Sequence, residues 1–305
     1  MRPNLKTEIA SLRLRNPMML SSGILGLSGL SLRDIWEAGA GAVVTKSLGL
    51  KPRMGHPNPT IVNVGCGFIN SMGLPNPGAE EYLSEIEAAR GDREIVIIVS
   101  IYGILPEEFA KIAKIVEGGG ADAVELNLSC PNVEGLGMEV GQDPKLIRNI
   151  VKAVKKSIKI PIFVKLTPNI SDIRILAKAA SDAGADGLVA INTIRAIAID
   201  LETGRPFLAN KIGGLSGPAI KPVALRCVYE VSQTVNIPVI GCGGITSWQD
   251  AVEFFLAGAS AVQIGTAIAY RGRDVFRDVI RGVEKYLRRK NVGSVDEIVG
   301  LSHKY

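Results

Sequence analysis

The sequence predicts an α/β protein built as a (β/α)8 barrel, and three observations predict it. Eight short apolar runs alternate with eight amphipathic stretches along the 305 residues. Four helical stretches end on one glycine punctuation, and three long connections follow the C-terminal ends of predicted strands. Continuous apolar runs mark strands buried on both faces, as in a parallel sheet covered by helices. A chain of this length is of ordinary size for one such barrel. No composition shift marks a linker, so residues 1–305 are expected to form a single domain.

Taken in order, residues 5–14 alternate apolar and polar side chains, the pattern of a surface β-hairpin ahead of the barrel. The strand runs follow at 18–20, 42–45, 95–100, 123–128, 161–166, 187–192, 238–241 and 261–264. Helices are expected to begin near Ser31, Pro77, Pro106, Asp143, Ser171, Pro218, Ser247 and Arg273. The repeated punctuation is seen in Glu37-Ala38-Gly39-Ala40, Gly118-Gly119-Gly120-Ala121, Asp182-Ala183-Gly184-Ala185 and Leu256-Ala257-Gly258-Ala259. Each places glycine where a helix C-cap needs it, then a small residue opening the next strand. No GxGxxG opens a first βα turn, which argues against an open dinucleotide-binding sheet. The long connections are 46–76, 130–142 and 193–217, on the rim where a barrel of this kind carries its site.

Composition bounds the function. An apolar share of 47% with 21% charged residues excludes a disordered chain. The net charge of +5 fits an ordinary surface as well as a preference for anionic ligands. Lys285, Arg288, Arg289 and Lys290 form the one dense basic cluster, at the end of the last helix, where cations suit the dipole. No nucleic-acid partner is expected. The four cysteines have no CxxC spacing and only two histidines accompany them, so no metal and no iron–sulfur cluster are expected within the chain. Isolated cysteines fit a reducing cytoplasm. No apolar run of ~18 residues occurs, so neither a membrane span nor a signal peptide is expected.

Several residues stand where chemistry could be done. Cys130, in Asn127-Leu128-Ser129-Cys130-Pro131-Asn132, follows a predicted strand and lies among amides on a polar loop, where a thiol can exchange protons. Cys227 reads as a packed small hydrophobe, while Cys66 and Cys242, among glycines, fit either role. Gly241-Cys242-Gly243-Gly244-Ile245 and Gln263-Ile264-Gly265-Thr266-Ala267 close the last two units, where barrels often bind phosphate. Each motif alone is also a plain tight turn. Lys46 and Lys165 emerge from apolar strands, so each needs an anion, from a ligand or from an ion pair. Asn70, Asn76, Asn127, Asn132 and Asn192 all fall at predicted rim positions; singly each is a turn former, together they suggest an amide-lined pocket for a flat heterocycle.

These stretches, with Thr45-Lys46-Ser47, Asn70-Ser71-Met72-Gly73-Leu74-Pro75-Asn76, Ile191-Asn192-Thr193 and Gly214-Leu215-Ser216-Gly217-Pro218, resemble the dihydroorotate dehydrogenases over nearly the whole chain. The resemblance implies an FMN-binding barrel that oxidises dihydroorotate to orotate in pyrimidine biosynthesis. It implies Cys130 as the base at C5 while hydride leaves C6 for the flavin, with Lys46 near both flavin and substrate. Loss of the proton lets the new double bond conjugate with the ring carbonyls, and a closing loop keeps water out. Asn70, the Met72 backbone, Gly73, Leu74, Asn127, Asn132, Asn192 and Thr193 would hold the orotate ring and carboxylate. Ser22 and Gly23 would lie against the flavin ring, with Ser47, Asn127, Ile191 and Cys242 as further cofactor contacts. Lys165 would sit at the flavin pyrimidine edge, favouring the anionic reduced form. Gly217, Gly243, Gly244, Gly265 and Thr266 would cradle the ribityl phosphate. Ser100 stands where some relatives carry asparagine.

The membrane-bound, quinone-using branch carries an apolar N-terminal extension and a serine base; this chain enters its barrel by Met18 and has cysteine. The stretch Gly217-Pro218-Ala219-Ile220-Lys221-Pro222, running on through Ala224-Leu225-Arg226, looks closer to the NAD-linked (class 1B) branch than to the fumarate-using one. That branch implies a homodimeric core with a partner subunit carrying FAD and a [2Fe–2S] cluster. The alternatives are a dihydropyrimidine dehydrogenase catalytic unit, a non-redox phosphate-binding barrel (isomerase or synthase), or a catalytically silent subunit. Lys46 and the many amides favour the carboxylate-bearing dihydroorotate, and an intact lysine–cysteine–asparagine set argues against a silent chain.

Overall fold

The computed structural model describes residues 3–128 and 137–305, with no side chains described for 137–139. Its strands are β1 (Thr7–Ile9), β2 (Leu12–Leu14), β3 (Met18–Leu20), β4 (Ala42–Val44), β5 (Ile61–Asn63), β6 (Phe68–Asn70), β7 (Ile97–Ile101), β8 (Ala123–Asn127), β9 (Ile162–Leu166), β10 (Gly187–Ala190), β11 (Ile194–Ala196), β12 (Gly213–Ser216), β13 (Val239–Cys242) and β14 (Ala261–Ile264). Eight of these close a parallel barrel in the order β3-β4-β7-β8-β9-β10-β13-β14. They are the eight apolar runs of the sequence, each within a few residues of its expected bounds.

Strand side chains alternate between faces, so every second residue enters the barrel. Met19, Val44, Ile98, Ala123, Phe163, Val189, Ile240 and Ala261 form one apolar interior, and Ile9, Leu12 and Leu14 pack against it. The hairpin of β1 and β2 therefore plugs the barrel end where the strands begin. The other strand face packs on the helices in a second, larger apolar layer.

The helices form where local signals permit. Asp143 caps Pro144–Lys155 by accepting from the Lys145 N–H, and Ser247 with Asp250 makes a full capping box on Trp248–Leu256. Helix ends fall on the expected glycines; Gly184 (φ +100°) and Gly258 (φ +108°) take the left-handed turn that a side chain resists. The second helix begins later than Pro77, at Leu83–Arg90. Asn76 is the reason: its Oδ1 accepts from the Gly49 and Gly78 N–H groups, holding the preceding segment as a turn. At Pro218 a 3-10 turn (Pro218–Ile220) precedes the helix Lys221–Ser232.

Two of the three long connections are not plain loops. They pair into a four-stranded antiparallel sheet, β11-β12-β6-β5, on the rim. The strands are three or four residues long and two glycines open β12, so no alternation marks them in the sequence. The register sets Asn70 opposite Gly214 and Phe68 opposite Ser216. This sheet joins the segment after β4 to the segment after β10 and so fixes two walls of one cavity.

Candidate active site

Beyond the apolar interior, the inward rows change character. The next inward residues are Ser21 after β3, Lys46 after β4, Glu125 and Asn127 on β8, Lys165 on β9, Cys242 on β13 and Gln263 on β14. The change from apolar to polar within single strands builds a polar floor at the C-terminal end of the barrel, where such folds bind ligands. Above it opens a cavity of about 420 Å³, within the range of small-molecule and cofactor sites.

One wall is a hydrogen-bonded amide row. Asn192 Nδ2 donates to Asn127 Oδ1 at 3.2 Å, and Asn127 Nδ2 donates to Ser47 Oγ at 2.9 Å. Ser47 and Ser100 share a hydroxyl hydrogen bond at 2.9 Å. Asn192 Oδ1 accepts from the Thr193 N–H at 2.8 Å, while the buried Thr193 hydroxyl has no partner among the described residues. Lys46, buried beside this row, has its backbone N–H tied to the Gly26 carbonyl at 3.1 Å. A fixed row of amides with a cation is suited to a flat ligand rich in carbonyls and carrying a carboxylate.

The rim segment supplies a second wall. Asn70 Nδ2 donates to the Gly214 carbonyl at 3.3 Å across the rim sheet. The 72–74 turn is held from behind: the His56 N–H donates to the Met72 carbonyl at 3.0 Å, and Arg53 Nε donates to the Gly73 carbonyl at 2.8 Å.

The floor cation is Lys165, 3% exposed. Its Nζ lies 3.6 Å from Glu125 Oε1 and donates to Gln263 Oε1 at 3.1 Å, Ser22 Oγ at 3.3 Å and Ser21 Oγ at 3.4 Å. Burial works against this ammonium, but Glu125 and the Cys242 sulfur outweigh it and hold its pKa above the ordinary lysine value. The anion demanded by a buried lysine is thus a protein carboxylate here, a structural partner that the sequence alone left undecided.

The third wall is made of glycine turns. Gly217, Gly243, Gly244, Gly265 and Thr266 all line the cavity. At Gly244 (φ +74°) a Cβ would stand 2.8 Å from the Lys221 backbone nitrogen, and at Gly243 2.7 Å from the Ala224 Cβ. No side chain fits, so the backbone itself faces the cavity, as an anion cradle requires. Thr266 Oγ1 donates to Ser216 Oγ at 2.9 Å, tying this wall to the rim sheet.

Of the expected site residues, Ser22, Gly23, Lys46, Ser47, Asn70, Met72, Gly73, Leu74, Asn127, Lys165, Ile191, Asn192, Thr193, Gly217, Cys242, Gly243, Gly244, Gly265 and Thr266 line this one cavity. Ser100 does not: it is buried behind Ser47 and reaches the cavity only through that hydroxyl. Asn76 is also no part of the pocket, since its side chain is consumed by the loop contacts described above and by donation to the Leu74 carbonyl and the Tyr102 hydroxyl. Cys130 and Asn132 lie outside the described residues. Cys227 is packed in the outer layer, as expected, and Cys66 is exposed on the rim.

Sequence reasoning missed Glu125, Gln263, Ser21 and Ser216. Glu125 and Gln263 carried a signal: each is a single polar residue within an apolar run, and strand alternation turns it inward beside the equally isolated Lys165. Among the described residues no group of His, Cys, Asp and Glu is arranged to hold a metal ion, and no helix is long and apolar enough to cross a membrane.

Fold and cavity define the class: a (β/α)8 barrel enzyme with a polar, glycine-edged site at its C-terminal rim. The chain belongs to the dihydroorotate dehydrogenase family, whose model, Dihydroorotate dehydrogenase, matches residues 4–287. It is 53% identical over 300 residues to the dihydroorotate dehydrogenase B (NAD(+)) catalytic subunit of Pyrococcus abyssi, covering 98% of this chain and 99% of that one. It is 51% identical over 303 residues to the protein of the same name from Methanocaldococcus jannaschii, covering 98% of each. Among solved structures it superposes on DHODH from Eimeria tenella, crystallised with ferulenol, with a TM-score of 0.85 at 26% identity, over 99% of this chain and 89% of that one.

Proposed function

We propose that this chain is the catalytic subunit of an NAD-linked dihydroorotate dehydrogenase, oxidising dihydroorotate to orotate for pyrimidine biosynthesis with FMN as its cofactor. Similarity to the NAD(+)-linked catalytic subunits along almost their whole length carries the reading. The cavity supports it, because an amide row with Lys46, a floor cation and a glycine cradle converge in one space.

The residues present fit FMN. Gly217, Gly243, Gly244, Gly265 and Thr266 would hold its phosphate and ribityl chain; Ser22, Gly23, Ser47, Ile191 and Cys242 would border its ring; Lys165 would stand at its pyrimidine edge. When bound, FMN supplies a hydride acceptor that becomes anionic on reduction. Asn70, the backbone of 72–74, Asn127, Asn132, Asn192 and Thr193 would orient the substrate ring, with Lys46 opposing its carboxylate. Cys130 would take the C5 proton on its sulfur. Fixed donors on rigid strands cost no reorganisation when charge develops, which is where such sites gain most.

Residues 1–305 would act as one domain, in the cytoplasm, within a homodimeric core. NAD would be reached through a partner subunit carrying FAD and a [2Fe–2S] cluster. Turnover of the purified chain with an artificial dye and dihydroorotate, but not dihydrouracil, is the expected result. Preference for dihydrouracil would move the chain to the dihydropyrimidine dehydrogenases, and absence of bound FMN would move it to the non-redox barrels.

A further inference from the structure

We propose that Glu125, with Gln263 as a strut, is a positioning residue that fixes the Lys165 ammonium against the cavity floor. The inference rests on the FMN reading above and adds to it how the floor cation is held.

Three observations carry it. Glu125 sits in the middle of β8, fully buried, and does not line the cavity; Lys165 and Gln263 do. Glu125 Oε2 accepts from Gln263 Nε2 at 2.6 Å, while Oε1 has no hydrogen-bond partner among the described residues and lies 3.6 Å from Lys165 Nζ. Gln263 turns its other end to the same ammonium, accepting at 3.1 Å. The three side chains thus close a triangle inside the barrel, from β8, β9 and, across the interior, β14.

A barrel brace alone would not need this arrangement. Leu, Ile and Val fill such layers more cheaply, because a buried ion pair gains little over apolar packing. The pair is instead asymmetric: the carboxylate is sealed behind the floor, while the ammonium also meets Ser21 and Ser22, which face the cavity. The groups facing Lys165 from neighbouring elements are the Glu125 carboxylate, the Cys242 thiol, the Gln263 amide and the two serine hydroxyls; Lys46 lines the same cavity. Glu125, ahead of Cys242, is the main group among them that keeps a desolvated ammonium charged. Replace it by glutamine and Lys165 loses its counter-charge while its burial remains.

The test is the midpoint potential of the bound FMN, followed from about pH 6 to about pH 9, across which an unperturbed lysine stays almost wholly charged. The unmodified holoprotein should show no break assignable to lysine. Glu125→Gln should introduce one, the flavin becoming at least tenfold harder to reduce on the alkaline side, about 30 mV for a two-electron couple. Glu125→Asp, which keeps the charge, should restore the unbroken profile, and adding Lys165→Met to Glu125→Gln should abolish the break. A Glu125→Gln holoprotein with an unbroken profile would overturn the proposal, as would a break that survives loss of Lys165. Should Glu125→Gln fail to fold with FMN, Gln263→Met decides: a smaller alkaline break supports the strut, and none overturns it. A chain that binds no FMN, or whose potential ignores Lys165→Met, defeats the flavin reading itself and is distinguished by that outcome.

Discussion

Single side chains decide the chemistry, and several are legible in the sequence itself. Lys46, Lys165 and the asparagines at 70, 127 and 192 stand out because polar residues at the ends of apolar strands need a reason. The fold brings them to one cavity. Asn76 has the same appearance in the sequence yet serves only its loop, because rim amides and turn-forming amides share a residue type and differ only in what surrounds them. Glu125 carries a weaker signal, one carboxylate inside an apolar run rather than at its end, which becomes legible only when strand alternation turns it inward beside Lys165. Two substitutions test this scale. Cys130→Ser should keep FMN bound but slow flavin reduction by dihydroorotate at neutral pH at least ~100-fold, the range for losing a general base; stopped-flow reduction at near-normal rate would remove Cys130 from that role. Asn127→Ala breaks bonds to both Ser47 and Asn192. A loss of about 1–3 kcal/mol in substrate binding is expected, roughly a 5–150-fold rise in the orotate dissociation constant.

Elements position those side chains. The barrel strands and most helix starts can be read from the sequence because capping residues and apolar runs are local signals, as at Asp143 and Ser247. The rim sheet cannot, since β5, β6, β11 and β12 are held by pairing across distant segments rather than by their own pattern. The turn after β13 illustrates how an element is organised around one group. Asp250 Oδ2 accepts from the N–H and hydroxyl groups of both Thr246 and Ser247 at 2.9–3.0 Å, and Oδ1 accepts from Lys221 at 2.7 Å. Burial pushes this carboxyl up, but Lys221, Thr246 and Ser247 outweigh it and hold its pKa below the usual value. A depressed carboxyl stabilises the fold above its unfolded pKa, near 3.9, and loses that contribution as pH falls through the folded value. Asp250→Asn should therefore cost about 1–3 kcal/mol at pH 7, read as a lower melting temperature, and the gap from the parent should narrow below about pH 4. A gap independent of pH would show that the charge is not what matters. In the same turn, Gly244→Ala meets the Lys221 backbone at 2.8 Å. Lower FMN occupancy with an otherwise folded barrel is the expected result, measured by flavin absorbance per chain.

At the scale of the molecule, the order of eight βα units makes the barrel legible, and the barrel alone says where a site must be. It does not say which chemistry occurs there, because one fold serves many reactions. That comes from the residues at the strand ends and from the kinship of the chain. Electron acceptance belongs to this scale too. The isolated chain should turn over with an artificial dye and not with NAD, and gain NAD activity when joined by an FAD and [2Fe–2S] subunit; NAD reduction by the chain alone would contradict the division of labour.

In the proposed function the rim cavity holds FMN, and the hydride of dihydroorotate passes to it there. Anaerobic titration of the purified flavoprotein with dihydroorotate tests it most directly. The flavin absorbance should bleach with an end point near one equivalent per FMN and an equal amount of orotate formed. A flavin that stays oxidised in excess dihydroorotate would contradict it.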